Sequence, residues 1–466
     1  MAIDPSSSRS ARLLAPLALS LLLGACAHLA PDYQRPAPAV PAEGQAAARD
    51  AAELPWRQFF ADERLRRLVG LALANNRDLR VAALSVERAR AQYQVQDAGS
   101  RLPQLDATAA AGRASGGSRF SASLGLAAYE LDFFGRVRDL NEAALQSFLA
   151  STAARRSAQI SLVAETANAW LALAADQQRQ ALAARTLESR RQSLALTQRR
   201  HALGAITGLT LAQAQTALEQ ARADLAVYGT QIAQDRHALE LLLGTAVPVT
   251  LLPRADEALA GVSALPELPA GVPSGVLQRR PDVLAAEHAL QGANADIGVA
   301  RAALFPRITL TAALGSASAE LGGLFKAGSG SWSFGPALSL PIFDGGAGRA
   351  TVRAAELGRE IALAQYDKAV QSAFREVADA LAARAGLAER MQAQQALLAS
   401  AERQLGLAEA LYRSGGSSQL ELLDAQRSLY AAQQALIALR LAEQGNRIEL
   451  YKVLGGGWKD DDNDEG

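Results

Sequence analysis

The stretch that decides the fold is HALGAITGLTLAQAQTAL, His201–Leu218, because it returns as YRSGGSSQLELLDAQRSL, Tyr412–Leu429. Gly204 maps onto Gly415, Leu209 onto Leu420, Ala214-Gln215 onto Ala425-Gln426 and Leu218 onto Leu429, all at an offset of 211. The same offset carries Ala143-Ala144 to Ala354-Ala355, Glu165 to Glu376 and Leu243-Gly244 to Leu454-Gly455. A register held this far without a gap belongs to a rigid element whose length matters. Upstream, Arg101–Leu105 (RLPQL) returns as Leu304–Ile308 (LFPRI) at an offset of 203, so the intervening loops absorb the difference. This is a duplicated architecture; solenoid repeats are shorter, about 20–50 residues each.

The duplicated element is a helical hairpin. No proline lies between Gly135 and Pro248, and the pattern is helical from Arg136 to Leu203, 68 residues. At ~1.5 Å per residue that is a helix of roughly 100 Å. Its twin runs from Ala347 to Ser414, again 68 residues, where ordinary helices average about 11–12. Each ends at a glycine, Gly204 or Gly415, suited to the left-handed position just past a helix. The chain then restarts, with Thr207 as the first cap, and Ser418 with Glu421 as a capping box in the second copy. The return helices are expected over 207–244 and 418–453.

A pair of strands precedes each hairpin. A first helix is expected from Asp62 to Ser100, broken by Pro103, then two strands within 104–132 around the turn Ser115-Gly116-Gly117-Ser118. A second pair falls within 305–343. Phe120, Ala122, Leu124 and Leu126 alternate with Ser121, Ser123 and Gly125. Ile308, Leu310, Ala312 and Leu314 alternate with Arg307, Thr309, Thr311 and Ala313, and Trp332, Phe334, Leu338 and Leu340 with Ser333, Gly335, Ala337 and Ser339. Outer-membrane barrels show this pattern at about ten residues per strand; a half-buried soluble sheet shows it equally. Four strands leave two open edges, which lipid does not tolerate. Three chains would supply twelve strands, enough for a hollow barrel.

Composition narrows the function. The 466 residues carry no net charge, and 49% are hydrophobic but only 5% aromatic, mostly Ala and Leu, which favours closely packed helices. Nothing in the charge invites nucleic acid. The single cysteine excludes an intrachain disulfide, and His28, His201, His237 and His288 show no ligand spacing, so no metal site is expected. There is no phosphate-binding loop and no nucleophile–base arrangement. No enzyme and no cofactor beyond a lipid is expected.

That lipid follows from the N-terminus. Arg9 and Arg12 precede an apolar run, Leu13–Leu23, too short for the ~20 residues that span a bilayer and fit for a secretory signal. It ends Leu23-Gly24-Ala25-Cys26, which resembles the lipobox of bacterial lipoproteins, implying N-acyl and diacylglycerol chains on Cys26. Ala27 beside it implies sorting to the outer membrane. The expected organisation is signal peptide 1–25, extended arm 26–60, first repeat 61–246, linker 247–272, second repeat 273–458 and acidic tail 459–466.

Further motifs carry a wider resemblance. They are Pro31-Asp32-Tyr33-Gln34-Arg35-Pro36, Trp56-Arg57-Gln58-Phe59-Phe60, Asn75-Asn76-Arg77-Asp78-Leu79-Arg80 and Glu130–Arg136 (ELDFFGR). Leu277–Asp282 (LQRRPD), Leu422–Leu429 (LLDAQRSL) and Leu454-Gly455-Gly456-Gly457-Trp458 complete them. Together they resemble the TolC-like outer membrane channel family, and most nearly the OprM-type lipoproteins of tripartite drug-efflux pumps. The resemblance implies a homotrimer: a twelve-stranded outer-membrane β-barrel continued by a long periplasmic α-barrel. It also implies two partners, a periplasmic adaptor and an inner-membrane proton-driven pump. The tips, Gly204, Thr207, Gly208, Leu209, Gly415, Gly416, Ser417 and Ser418, would meet the adaptor. The arginine and tryptophan motifs read as structural.

The copies differ where it matters. Leu420, Asp424 and Arg427 stand at i, i+4 and i+7, one face of a helix, where the first copy has the uncharged Leu209, Gln213 and Thr216. In the family resembled, the matching leucine, aspartate and arginine form the constriction at the periplasmic end. The expected function is a passive exit duct for drugs and other small molecules. A protein-secretion duct of the same fold and a lipidated periplasmic adaptor are the alternatives.

Overall fold

The computed structural model describes residues 29–37, 54–254 and 277–456. The signal peptide, Cys26, most of the linker, Trp458 and the acidic tail lie outside them. The elements are α1 (Trp56–Phe59), α2 (Glu63–Asn75), α3 (Arg77–Arg101), β1 (Leu105–Ala114), β2 (Gly117–Leu131), α4 (Arg136–Ala202) and α5 (Gly208–Leu243). A 3₁₀ turn (Val249–Leu251), α6 (Pro281–Ala302), β3 (Arg307–Ser318), β4 (Gly330–Ser339), α7 (Ala347–Ser414) and α8 (Gln419–Val453) follow. The described residues form two compact units, one of 29–37, Leu84–Ala153 and Leu284–Ala369, the other of 54–83, 154–254, 277–283 and 370–456.

The single first helix expected from Asp62 to Ser100 is two helices. Asn76 is the break: its backbone is extended (ψ 132°) while its N–H still bonds the Ala72 carbonyl. Its side chain accepts from the Leu79 N–H at 2.8 Å, capping α3, and donates to the Leu242 carbonyl at 2.9 Å. An asparagine can satisfy one helix end and start the next, and hydrophobic spacing alone does not register that.

In the first unit the four strands form one antiparallel sheet in the order β1-β2-β3-β4. The register gathers the apolar residues on one face. Leu124 pairs with Leu314 and Leu314 with Trp332; Ala312 pairs with Phe334, and Ile308 with Leu338. Thr108, Ser123, Gly125, Thr309 and Gly335 take the other. On the apolar face Trp332 is 79% and Leu314 68% exposed, so among the described residues most of it is left open.

A bulge between Leu126 and Tyr129 preserves this sidedness. Two β2 residues, Ala127 and Ala128, oppose the single Thr311, so one extra residue is inserted, with Ala128 at φ 40°, and the outward parity changes from even to odd. Tyr129 and Leu131 therefore join the apolar face, while Glu130 turns to the opposite one. There Glu130 accepts from Arg136, which follows β2, and from Arg307, which opens β3, at 2.7 Å (Nε) in each case.

The arm 29–37 lies along α6. Glu287, Asn294 and Arg301 recur every seven residues, hence on one helix face. Glu287 receives the Arg35 guanidinium (Nε at 2.7 Å), Asn294 donates to the Pro31 carbonyl at 2.6 Å and Arg301 to the Leu29 carbonyl at 3.2 Å. Burial and the Glu287 charge push the Tyr33 phenol, which donates to Glu287, up to about 12.

The second unit holds the main core. Trp56, Phe59 and Phe60 pack with Leu65, Leu68 and Val69 of α2 against the middle of α4 and the ends of α5 and α8. Phe59 stacks on Tyr451 with centroids 4.0 Å apart, Tyr451 Oη donates to the Leu54 carbonyl at 2.5 Å, and Trp170 Nε1 to the Leu251 carbonyl at 3.0 Å.

Candidate functional site: the hairpin tips and the second return helix

Both tips close by the same local device. After α4, Gly204 sits at φ 70°, its N–H on the His201 carbonyl (2.9 Å) and the Ala205 N–H on the Arg200 carbonyl (2.9 Å). After α7, Gly415 sits at φ 77°, with its N–H on Tyr412 (3.3 Å) and the Gly416 N–H on Leu411 (2.8 Å). These are Schellman closures, which need a left-handed residue and favour glycine. Space beside Gly204 and Gly415 is open, so their requirement is φ and not packing within the chain.

The restarts differ. Thr207 accepts the Thr210 N–H (3.3 Å) and pairs with the Thr210 hydroxyl (3.1 Å) without a reciprocal carboxylate, and Gly208 is the first residue of α5. Ser418 accepts the Glu421 N–H (3.3 Å) while the Glu421 carboxylate takes the Ser418 N–H (2.7 Å), a complete capping box. Ser417 reaches the Ala408 carbonyl at 3.4 Å. The second tip is therefore the more firmly built of the two.

From that tip α8 runs with Leu422, Ala425, Ala432, Leu436 and Leu439 buried. Leu420, Asp424 and Arg427 fall outside this seam. Leu420 is 59% exposed, and the Arg427 guanidinium bonds the Asp424 carboxylate with side chains 77% and 50% exposed. The structure brings the charged pair together within one chain and leaves it facing outward. In the first copy Leu209 is also exposed, Gln213 is half-buried, and Thr216 returns its hydroxyl to the Ala212 carbonyl at 3.0 Å.

Sequence reasoning did not single out what ties this helix to the other hairpin. Arg190 of α4 is buried and donates to the Gln426 side chain; burial and the nearby Arg427 both depress its pKa. Nearer the tip, Arg200 lies over the Tyr412 ring at 5.2 Å and donates to its hydroxyl at 3.0 Å. Tyr228 of α5 donates to Gln434 of α8 at 3.2 Å. Gln426 was visible only as half of a repeated Ala-Gln pair.

The two structural motifs are where such motifs act. Arg280 is buried beside Asp282, Glu376 and the end of α8, and Trp56 is fully buried. Glu376 is the repeat partner of Glu165, which is exposed.

The family model for outer membrane efflux proteins matches residues 68–245 and 272–456, one match per copy of the repeat. The probable efflux pump outer membrane protein TtgC of Pseudomonas putida is 45% identical over 467 residues, 96% of each chain. Outer membrane protein OprJ of Pseudomonas aeruginosa is 45% identical over 459 residues, 95% of each. Among solved structures, the open state of the Neisseria gonorrhoeae MtrE outer membrane channel superposes with a TM-score of 0.84 at 40% identity, covering 93% of this chain and 99% of that one.

The chain belongs to the outer membrane efflux protein family. It is a channel and not an enzyme: an exit duct of an efflux system, resident in the bacterial outer membrane and extending into the periplasm. Among the described residues no helix is long and apolar enough to cross a bilayer; the sheet with its bare apolar face is the part suited to lipid.

Proposed function

We propose that three copies of the chain close their sheets into a twelve-stranded barrel and work with a periplasmic adaptor and an inner-membrane pump, with closure at the second tip. The observation that carries the closure is the asymmetry between the copies. At the matching positions α8 presents a leucine and an ion pair on an outward face and α5 presents Leu209, Gln213 and Thr216, its own exposed pair Glu219–Arg222 lying further from the tip. Around a threefold axis this face would supply three carboxylates and three guanidinium groups. Carboxylates brought together alone would raise one another's pKa and repel; Arg427 at i+3 compensates them. The exported compounds are small molecules, conducted without chemistry.

Docking of the adaptor on the tips gives the direct test. Gly415→Trp places a bulky side chain at φ 77° on an otherwise open surface. The expected outcome is loss of most adaptor cross-linking and of drug resistance, with trimers recovered in normal yield. Full resistance and cross-linking in this variant would remove the tips from the docking surface.

The lipid on Cys26 belongs to the same proposal. Arg301 holds the Leu29 carbonyl six positions before Arg307 opens β3, at the helix-bearing end of the sheet. Cys26 precedes Leu29 by three residues, a reach of about 10 Å, which suits acyl chains entering the periplasmic leaflet. Cys26→Ser is expected to abolish incorporation of labelled palmitate while the protein still fractionates with outer membranes, since the barrel buries far more apolar surface than acyl chains do. Equal labelling of variant and wild type would refute the assignment.

A further inference from the structure

At the end of the sheet away from the helices, β3 and β4 are joined by residues 319–329, and this loop folds back over the apolar face. Ser316, paired with Ala122 on that face, directs its hydroxyl to the carbonyls of Leu324 and Ser329. Leu324 is buried beneath the loop. Phe325 overhangs Ala107, Ala109, Ala122, Leu124 and Leu314, leaving an open, mainly apolar groove of about 530 Å³.

Irregular backbone is excluded from hydrocarbon unless its polar groups are satisfied. Here five of the eleven N–H groups of residues 319–329 find partners within the loop and its flanking strand. The N–H groups of Gly323, Leu324, Lys326 and Ser329 bond the carbonyls of Glu320, Leu321, Gly323 and Lys326 at 3.0–3.2 Å. The Glu320 N–H bonds the Ser318 hydroxyl at 3.2 Å, and the Ala317 N–H takes the Ser329 carbonyl at 2.9 Å. The large apolar side chains the loop exposes are Leu321 and Phe325.

Two cations frame it. Lys326 follows Phe325, and Arg113, two positions beyond Ala111 on the apolar-face register of β1, stands at the same end of the sheet. Among the described residues neither is ion-paired, whereas Arg136 and Arg307 at the opposite end share Glu130. Glu320 is the loop's only acid.

We propose that this loop is a lipid-binding element of the outer leaflet. It seats an acyl chain in the groove under Phe325 and a phosphate of the outer-leaflet glycolipid on Lys326 and Arg113. Exposed apolar side chains beside unpaired cations, on a loop that bonds about half of its own N–H groups, are the chemistry that a phosphorylated amphiphile recognises. The loop would thereby fix the depth of the barrel in the membrane.

Native mass spectrometry of the delipidated full-length protein tests this with three probes: bis-phosphorylated lipid A, phosphate-free lipid A and phosphatidylglycerol. Wild type is expected to retain the bis-phosphorylated lipid preferentially. The double variant Arg113→Ala/Lys326→Ala is expected to bind it about 25-fold more weakly, from roughly fivefold per cation. Phe325→Ser is expected to weaken both lipid A forms alike, and Arg119→Ala, on the opposite face, neither. Unchanged retention by the double variant, or equal retention of phosphate-free lipid A by wild type, would overturn the phosphate site. Equal retention of phosphatidylglycerol would overturn the assignment to the glycolipid.

Discussion

Arg280→Ala is expected to lower stability by about 3 kcal/mol, the lower end of the range for breaking a buried ion pair, because both acids remain partly hydrated. The Arg280 side chain is 9% exposed and its guanidinium is fully used. Nε and Nη2 take the Asp282 carboxylate at 3.0 and 2.7 Å, Nη2 also takes Glu376 at 2.7 Å, and Nη1 donates to the Val453 carbonyl at 2.9 Å. Val453 is the last residue of α8, so the cation also sits at a helix C-terminus, where it is favoured. Alanine would leave a buried carbonyl unpaired and two carboxylates near each other. Arg280→Lys keeps the charge but not the planar fork, and should recover about half the loss. Thermal unfolding in detergent reads both, and a melt unchanged in Arg280→Ala would show that the cluster is peripheral.

Asp424→Ala is expected to raise single-channel conductance in planar bilayers. Within one chain the Asp424–Arg427 pair is half to mostly exposed, and such pairs contribute under ~1 kcal/mol. Three such sites acting together bring even modest losses to a few kcal/mol of population shift. Leu420→Ala, removing the exposed apolar group one turn nearer the tip, should raise conductance further. Gln213→Ala, the matched change in the first copy, should do little. Equal conductance in wild type and Asp424→Ala, with trimers intact, would reduce the pair to a solvated helix face.

The beams, the tips and the sidedness of the sheet were legible because each rests on a local rule. The proline-free runs end at Gly204 and Gly415 since only a left-handed residue closes a Schellman turn, and the alternation in β3 and β4 is the pleat itself. What escaped was set by partners distant in sequence. Asn76 breaks a helix that hydrophobic spacing would continue, because it caps α3 and reaches Leu242. The bulge near Ala128 was hidden because only the register with β3 shows why Leu126 and Tyr129 share a face. Nothing local distinguishes Arg190 from the other arginines of α4; its burial depends on α8 packing beside it. At the candidate closure the residues could be named, but their arrangement about an axis is a property of three chains.

That convergence is the central claim, and disulfide trapping measures it. Cys26 is the only native cysteine, so Cys26→Ser leaves a background free of thiols in which to place Asp424→Cys. The account predicts that, in purified trimers without adaptor, mild oxidation links Asp424→Cys chains into dimers on a non-reducing gel, while Gln213→Cys chains stay largely monomeric. Monomers from Asp424→Cys under the same oxidation, with trimers intact, would contradict closure by the second tip.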